Sequence, residues 1–170
     1  YMAEKRVLHS LISSRVDGLL VSTSRETDRS DHFKPILEKG IPLVFFDRIM
    51  EDLNASQVFT ENYEVALEGT EHLIAQGCKR IAIMAGPQHI FTSRNRFRGY
   101  LEALRRNNLP IQESYIVHSH YVNNRVEEST RYLINLPHPP DAVFAINDYT
   151  AIEMMHIMKR NGLRIPQDIA

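Results

Sequence analysis

Three arginines at alternating positions, Arg94, Arg96 and Arg98, stand in the run Ser93 to Tyr100, directly after an apolar stretch and a Gly86-Pro87 turn. A planar guanidinium can give two parallel hydrogen bonds to vicinal oxygens, which the point charge of a lysine cannot reproduce. On a helix Arg94 and Arg98, four apart, share one face, and Arg96 projects to the other side. One arginine can therefore meet a ligand while two stay outside; three solvated helix arginines fit the same spacing. Asp47 ends the apolar run Leu43 to Phe46, where a carboxylate beyond the C-terminal edge of a sheet accepts ligand hydroxyls or caps a loop. Asn147 and Asp148 follow the apolar run Ala142 to Ile146 and precede a helical pattern, a position that Asn and Asp commonly occupy as N-caps.

Two aromatics fit as stacking surfaces for the apolar face of a ligand: Tyr121, in the loop after Tyr115 to Val117, and Phe59. Most aromatics of such a domain are core residues, so packing is the competing reading. Ile90 and Thr92 complete the loop beside Arg96, and the apolar Ile90 implies a less polar contact than a hydroxyl would give. His118 and His120 could share one face of a strand, but no Cys or carboxylate cluster completes a metal site at usual spacing, and a surface pair is the expectation. No metal and no cofactor is expected. No nucleophile elbow, Walker loop or dinucleotide fingerprint is present, so the expectation is a binding module and not an enzyme.

These residues need a scaffold, and the hydrophobic pattern supplies one. Continuous apolar runs at Leu19 to Val21, Leu43 to Phe46, Val58 to Phe59, Ile81 to Ala85, Tyr115 to Val117 and Asp141 to Ile146 read as buried strands. Helical patterns separate them: Val7 to Ile12, Phe33 to Leu37, Ala66 to Ile74 with Asn62 as N-cap, Ser93 to Leu104, Val126 to Ile134, and Ala151 to Met158 closed by Gly162. Strand and helix thus alternate almost without exception. That order predicts an α/β fold with parallel sheets covered by helices on both faces. A strand-helix series ends and another begins near Asn54 to Thr60, which divides the chain at about residues 1–59 and 60–170. His72 lies on the apolar face of its helix and is expected to pack in the core.

The 170 residues carry a formal net charge of −1, with 43% hydrophobic and 24% charged residues, which is ordinary for a globular protein and lacks the basic excess of a phosphate-gripping one. The single cysteine, Cys78, excludes an intramolecular disulfide and fits a cytoplasmic location. No apolar run reaches a membrane span of about 18 residues, so no membrane partner is expected.

Six segments in order, Val16 to Val21, Ile41 to Arg48, Gly69 to Pro87, Ser93 to Leu104, Pro140 to Ile152 and Gly162 to Ala170, resemble the effector-binding core of the lactose/galactose repressor family of bacterial transcription regulators. The resemblance implies a two-lobed periplasmic-binding-protein-like fold, with a small effector held in the cleft between lobes. It implies a first lobe that is incomplete here, a homodimer, and DNA contacted through an N-terminal helix-turn-helix outside this sequence. Arg96 matches the arginine that clamps sugar hydroxyls or a carboxylate in the family. Asn147 matches an effector-bonding position, with Asp148 as cap or hinge residue. The effector expected is a sugar, sugar acid or purine-like molecule. An extracytoplasmic sugar-binding protein of a transport system is the alternative of the same fold. Departures from the family pattern fall at Glu61-Asn62, Val65 and Gly77-Cys78.

Overall fold

The structure, a computed structural model, describes residues 1–118 and 125–170. They divide into two compact units, Tyr1–Thr60 with His89–Thr92, and Glu61–Gln88 with Ser93–Ala170. The expected division at residue 60 ran the second unit without a break. Residues 89–92 instead belong with the first, because Ile90 is buried and Phe91 packs against the first unit's hydrophobic cluster.

In the first unit, helix α1 (Met2–Ser13) leads to strand β1 (Leu19–Val21), helix α2 (Lys34–Glu38), strand β2 (Leu43–Phe46) and strand β3 (Ser56–Val58). The three strands form a parallel sheet in the order β1-β2-β3, with Leu19 opposite Leu43 and Phe46 opposite Val58. Leu19, Val21, Leu43 and Phe45 point to one face, where Leu8 of α1 and Phe33 and Ile36 around α2 bury them. Phe33 and Phe45 meet edge to face with ring centroids 5.0 Å apart. The opposite face differs from the expectation of a sheet covered twice: Leu20 is 77% exposed and Val58 64%. Side chains alternate across a strand, so the helices that pack on one face leave the other bare. Val7 and Leu11 of α1 are likewise exposed, and only Leu8 and the half-buried Ile12 of that apolar set face the core.

The second unit contains α3 (Asn62–Ala75), β4 (Ile81–Ala85), α4 (Phe91–Arg106, entering from the first unit), β5 (Ile116–His118), α5 (Arg125–Ile134), β6 (Ala142–Ala145) and α6 (Asp148–Arg160). The sheet is again parallel, in the order β5-β4-β6. Every residue of the central strand β4 is buried. Ile81, Ile83 and Ala85 pack with Tyr100 and Leu104 of α4, whereas Ala82 and Met84 pack with Val126 and Leu133 of α5 and Met154 and Ile157 of α6. Here both faces are covered, which is why the strand reads as an unbroken apolar run.

The Tyr100 hydroxyl donates to the Ile81 carbonyl at 2.8 Å, tying α4 to the start of β4. Burial pushes its phenol far above the ordinary range. One residue earlier, Gly99 lets α3 and α4 approach closely, since a Cβ at that position would lie 2.3 Å from the Tyr63 carbonyl oxygen. Gly77 and Gly162, with φ of 94° and 83°, follow α3 and α6 in the left-handed conformation that glycine adopts without strain. His72 is exposed on α3 rather than packed in the core, because its side of the helix faces away from β4.

Candidate functional site

The second unit assembles its polar groups where β4 and β6 end. α4 begins just after β4, so Arg96 lies one to two turns into the helix and close to those strand ends. Its Nε donates to Asn62 Oδ1 at 2.9 Å and its Nη1 to the Ile146 carbonyl at 2.6 Å. The side chain is half-buried, and Nη2 has no hydrogen bond to a described residue. Arg98 is exposed, 5.9 Å from the Tyr63 ring centroid, with Nη1 3.4 Å from Asn95 Oδ1. Arg94 is half-buried like Arg96, so the division into one inner and two outer arginines holds for Arg98 and not for Arg94.

Asn62 was read from sequence as the N-cap of α3. It is the first helical residue, preceded by Glu61 as cap, and its side chain is turned inward with 3% exposure. That inward turn lets it hold Arg96. At the other helix start the roles also move: Asn147, not Asp148, is the N-cap of α6, its Oδ1 accepting from Thr150 N at 2.9 Å. Asp148 is the first helical residue and accepts from the Tyr149 amide. The extended backbone of Asn147, φ −157° and ψ 167°, is the geometry an N-cap requires, and Asp148 already has joined the helix.

In the first unit Asp47 follows β2, exposed and with φ of 60°, a conformation that is uncommon for a residue with a side chain. Its amide donates to the Val58 carbonyl at 3.0 Å and its carboxylate meets Arg48 Nη1 at 3.2 Å. Arg48 Nε donates to the Thr23 carbonyl, and the Thr23 hydroxyl donates to the Arg48 carbonyl at 3.3 Å. This exchange ties the C-terminal ends of β1 and β2 together. Arg48, Thr23, His89 and Ile90 line a cavity of about 190 Å³. Ile90 is buried within this unit, Thr92 is half-buried in the first turn of α4, and Phe59 is exposed and meets Phe91 edge to face at 5.0 Å. Ser22, just past β1, holds a buried hydroxyl with no hydrogen-bond partner among the described residues.

Tyr121 and His120 lie outside the described residues. Arg48 and Thr23 were not singled out from sequence, and Asn62 was read only as a helix cap. Asn62 followed by an apolar helix looks like a cap, and only its distance from Arg96 shows otherwise. Arg48 had a visible signal, an arginine directly after the strand-ending Asp47. Among the described residues no group of three or more His, Cys, Asp or Glu is placed to hold a metal ion, and no helix is long and apolar enough to cross a membrane. The second unit by itself presents a guanidinium and side-chain amides, and the first unit by itself a carboxylate, groups that bind oxygen-rich molecules by hydrogen bonds.

The profile of the family described as periplasmic binding proteins and sugar binding domain of the LacI family matches residues 2–170. The probable HTH-type transcriptional repressor ExuR of Bacillus subtilis (strain 168) is 34% identical over 161 residues, which cover 95% of this chain and 48% of that protein. The HTH-type transcriptional repressor CytR of Escherichia coli (strain K12) is 30% identical over 168 residues, 98% of this chain and 48% of its own. Among solved structures, the transcriptional regulator CelR–cellobiose complex superposes with a TM-score of 0.83 at 28% identity, covering 98% of this chain and 51% of CelR. The chain spans about half the length of the curated relatives it matches. Its parallel sheets flanked by helices are those of the periplasmic-binding-protein-like core, and the chain belongs to the family of periplasmic binding proteins and LacI-family sugar-binding domains, with transcriptional repressors as its relatives.

Proposed function

We propose that this chain is the effector-binding and dimerising core of a bacterial transcription regulator. It senses a sugar, sugar acid or purine-like molecule and controls DNA binding by a helix-turn-helix domain outside residues 1–170. Residues 1–59, together with 89–92, belong to its N-terminal lobe and the rest of residues 60–170 to its C-terminal lobe. The observation that carries this reading is Arg96: two of its guanidinium nitrogens are held by Asn62 and Ile146, which orients the third without immobilising cost at binding. Such a fixed donor suits a hydroxyl or carboxylate oxygen. Asn147 lies one residue past that Ile146 carbonyl, and Asp47 is the exposed carboxylate that the first unit offers to a hydroxyl donor. Phe59, Ile90 and Thr92 are the remaining proposed contacts. The repressor names of the relatives support regulation over transport, and the cellobiose held by CelR supports a carbohydrate effector.

The exposed stripe Tyr149, Ile152 and Met155 on α6 is the proposed homodimer contact of the second unit. These residues recur every three positions and share one helix face. The effector acts by differential affinity: it favours one arrangement of the core and so changes the affinity for DNA by the same factor that DNA changes the affinity for effector. Calorimetric titration of the full-length protein with monosaccharides, sugar acids and purines, each repeated with operator DNA present, tests this. A ligand whose affinity changes on adding DNA supports the reading. A ligand that binds tightly with no coupling to DNA refutes the regulatory part, and equal binding by Arg96→Ala refutes the site.

A further inference from the structure

The groove between α1 and α2 of the first unit holds a second group of polar side chains, and it shares no lining residue with the cavity beside Arg48. It encloses about 540 Å³ and is lined by Lys5, His9, Arg15, His32 and Lys39 over an apolar wall of Leu8, Ile12 and Pro35. None of the lining residues is acidic. Elsewhere in this unit Lys34 has Asp31 as its carboxylate partner at 2.8 Å and Arg48 has Asp47 at 3.2 Å. Lys5, Arg15 and Lys39 have none among the described residues; Lys5 stands over the Tyr1 ring, 4.7 Å from its centroid. Three unpaired cations at one concavity concentrate positive potential there.

His32 adds an independent observation. Its side chain is 5% exposed, and its Nε2 meets Glu4 Oε1 at 2.6 Å. Glu4 also accepts from the Thr27 hydroxyl at 2.8 Å and from the Ser24 amide, so its charge is taken up within that network. The other ring nitrogen, Nδ1, is buried without a hydrogen-bond partner. A buried polar atom left unpaired is destabilising and in native proteins commonly marks a missing partner. With Nε2 committed to the carboxylate, Nδ1 is the ring position left without a hydrogen-bond partner among the described residues.

We propose that this groove binds a small phosphoryl-bearing anion, with Lys5, Arg15 and Lys39 on its oxygens and His32 at the inner wall. Three cations match the several oxygens and double charge of a phosphomonoester better than the two oxygens of a carboxylate. The apolar wall accommodates the carbon skeleton that carries the phosphate. The groove shares no residue with the proposed effector contacts, so either can fail without the other.

The test is a titration of full-length protein with inorganic phosphate, followed by phosphorus-31 line broadening, with sodium chloride at matched ionic strength as the control for screening. Saturable binding is expected, weakened about tenfold in Lys39→Glu and further in Arg15→Glu/Lys39→Glu. Both substituted residues are exposed, and circular dichroism verifies that the variants fold. Absence of saturation above the chloride control overturns the site. Undiminished affinity in the double variant places phosphate elsewhere and also overturns it. Acetate displacing phosphate at equal concentration overturns the phosphoryl assignment.

Discussion

Replacing Arg96 by alanine is expected to weaken both effector binding, by about tenfold, and folding. The loss of folding stability follows from the two bonds Arg96 makes inside the second unit, at 2.9 Å to Asn62 and 2.6 Å to the Ile146 carbonyl. A hydrogen bond to a charged group contributes about 1.5–3 kcal/mol, and the half-buried site lets water replace part of it, so the two together are worth about 2 kcal/mol. With a urea slope of about 2 kcal/mol per molar, the unfolding midpoint of Arg96→Ala falls by about 1 M. Arg96→Lys can place its single ammonium on one of the two acceptors and recovers about half of that loss. Urea unfolding of the full-length protein, monitored by circular dichroism, gives the midpoints. A midpoint within about 0.2 M of the parent for Arg96→Ala would refute the structural part of the reasoning, because it would mean that neither bond is formed in solution.

Three further outcomes are expected. Gly99→Ala puts a methyl group 2.3 Å from the Tyr63 carbonyl and 2.9 Å from the Leu67 amide nitrogen, so α3 and α4 must separate; a loss of about 3 kcal/mol in urea unfolding is expected, and a loss below about 1 kcal/mol would contradict the close crossing. Asn147→Ala removes the acceptor of the Thr150 amide at the start of α6 and is expected to cost about 1 kcal/mol, with Asn147→Ser restoring most of it and Asp148→Ala costing less than Asn147→Ala. Because the Tyr100 phenol is raised by burial, the unfolded chain ionises it first; stability contributed by its protonated form is intact below about pH 10 and falls as pH rises beyond that. Ultraviolet titration of wild type against Tyr100→Phe measures this, and a Tyr100 that ionises with the exposed tyrosines would show that the ring is not buried.

The alternation of strands and helices was legible because each rests on local pattern. The run Ile81 to Ala85 is apolar throughout because both faces of β4 are covered, and Gly77 and Gly162 end their helices because the backbone there needs positive φ. Local pattern was ambiguous at helix starts. Asn147 and Asp148 are both good caps by type, and the choice between them depends on which residue leaves the extended backbone last. The same ambiguity hid Asn62, whose residue type suits a cap and whose actual partner lies in another helix. His72 was misplaced because helical periodicity locates an apolar stripe without marking its margins.

What the sequence determined by itself is the class of fold, the family and the arginine cluster, since these depend on residue order and on interactions within one element. Which guanidinium is fixed, and by what, was decided only by the tertiary structure. Arg96 finds its partners 34 and 50 residues away along the chain. Those partners become neighbours only once α3, α4 and the end of β6 converge on the edge of one parallel sheet.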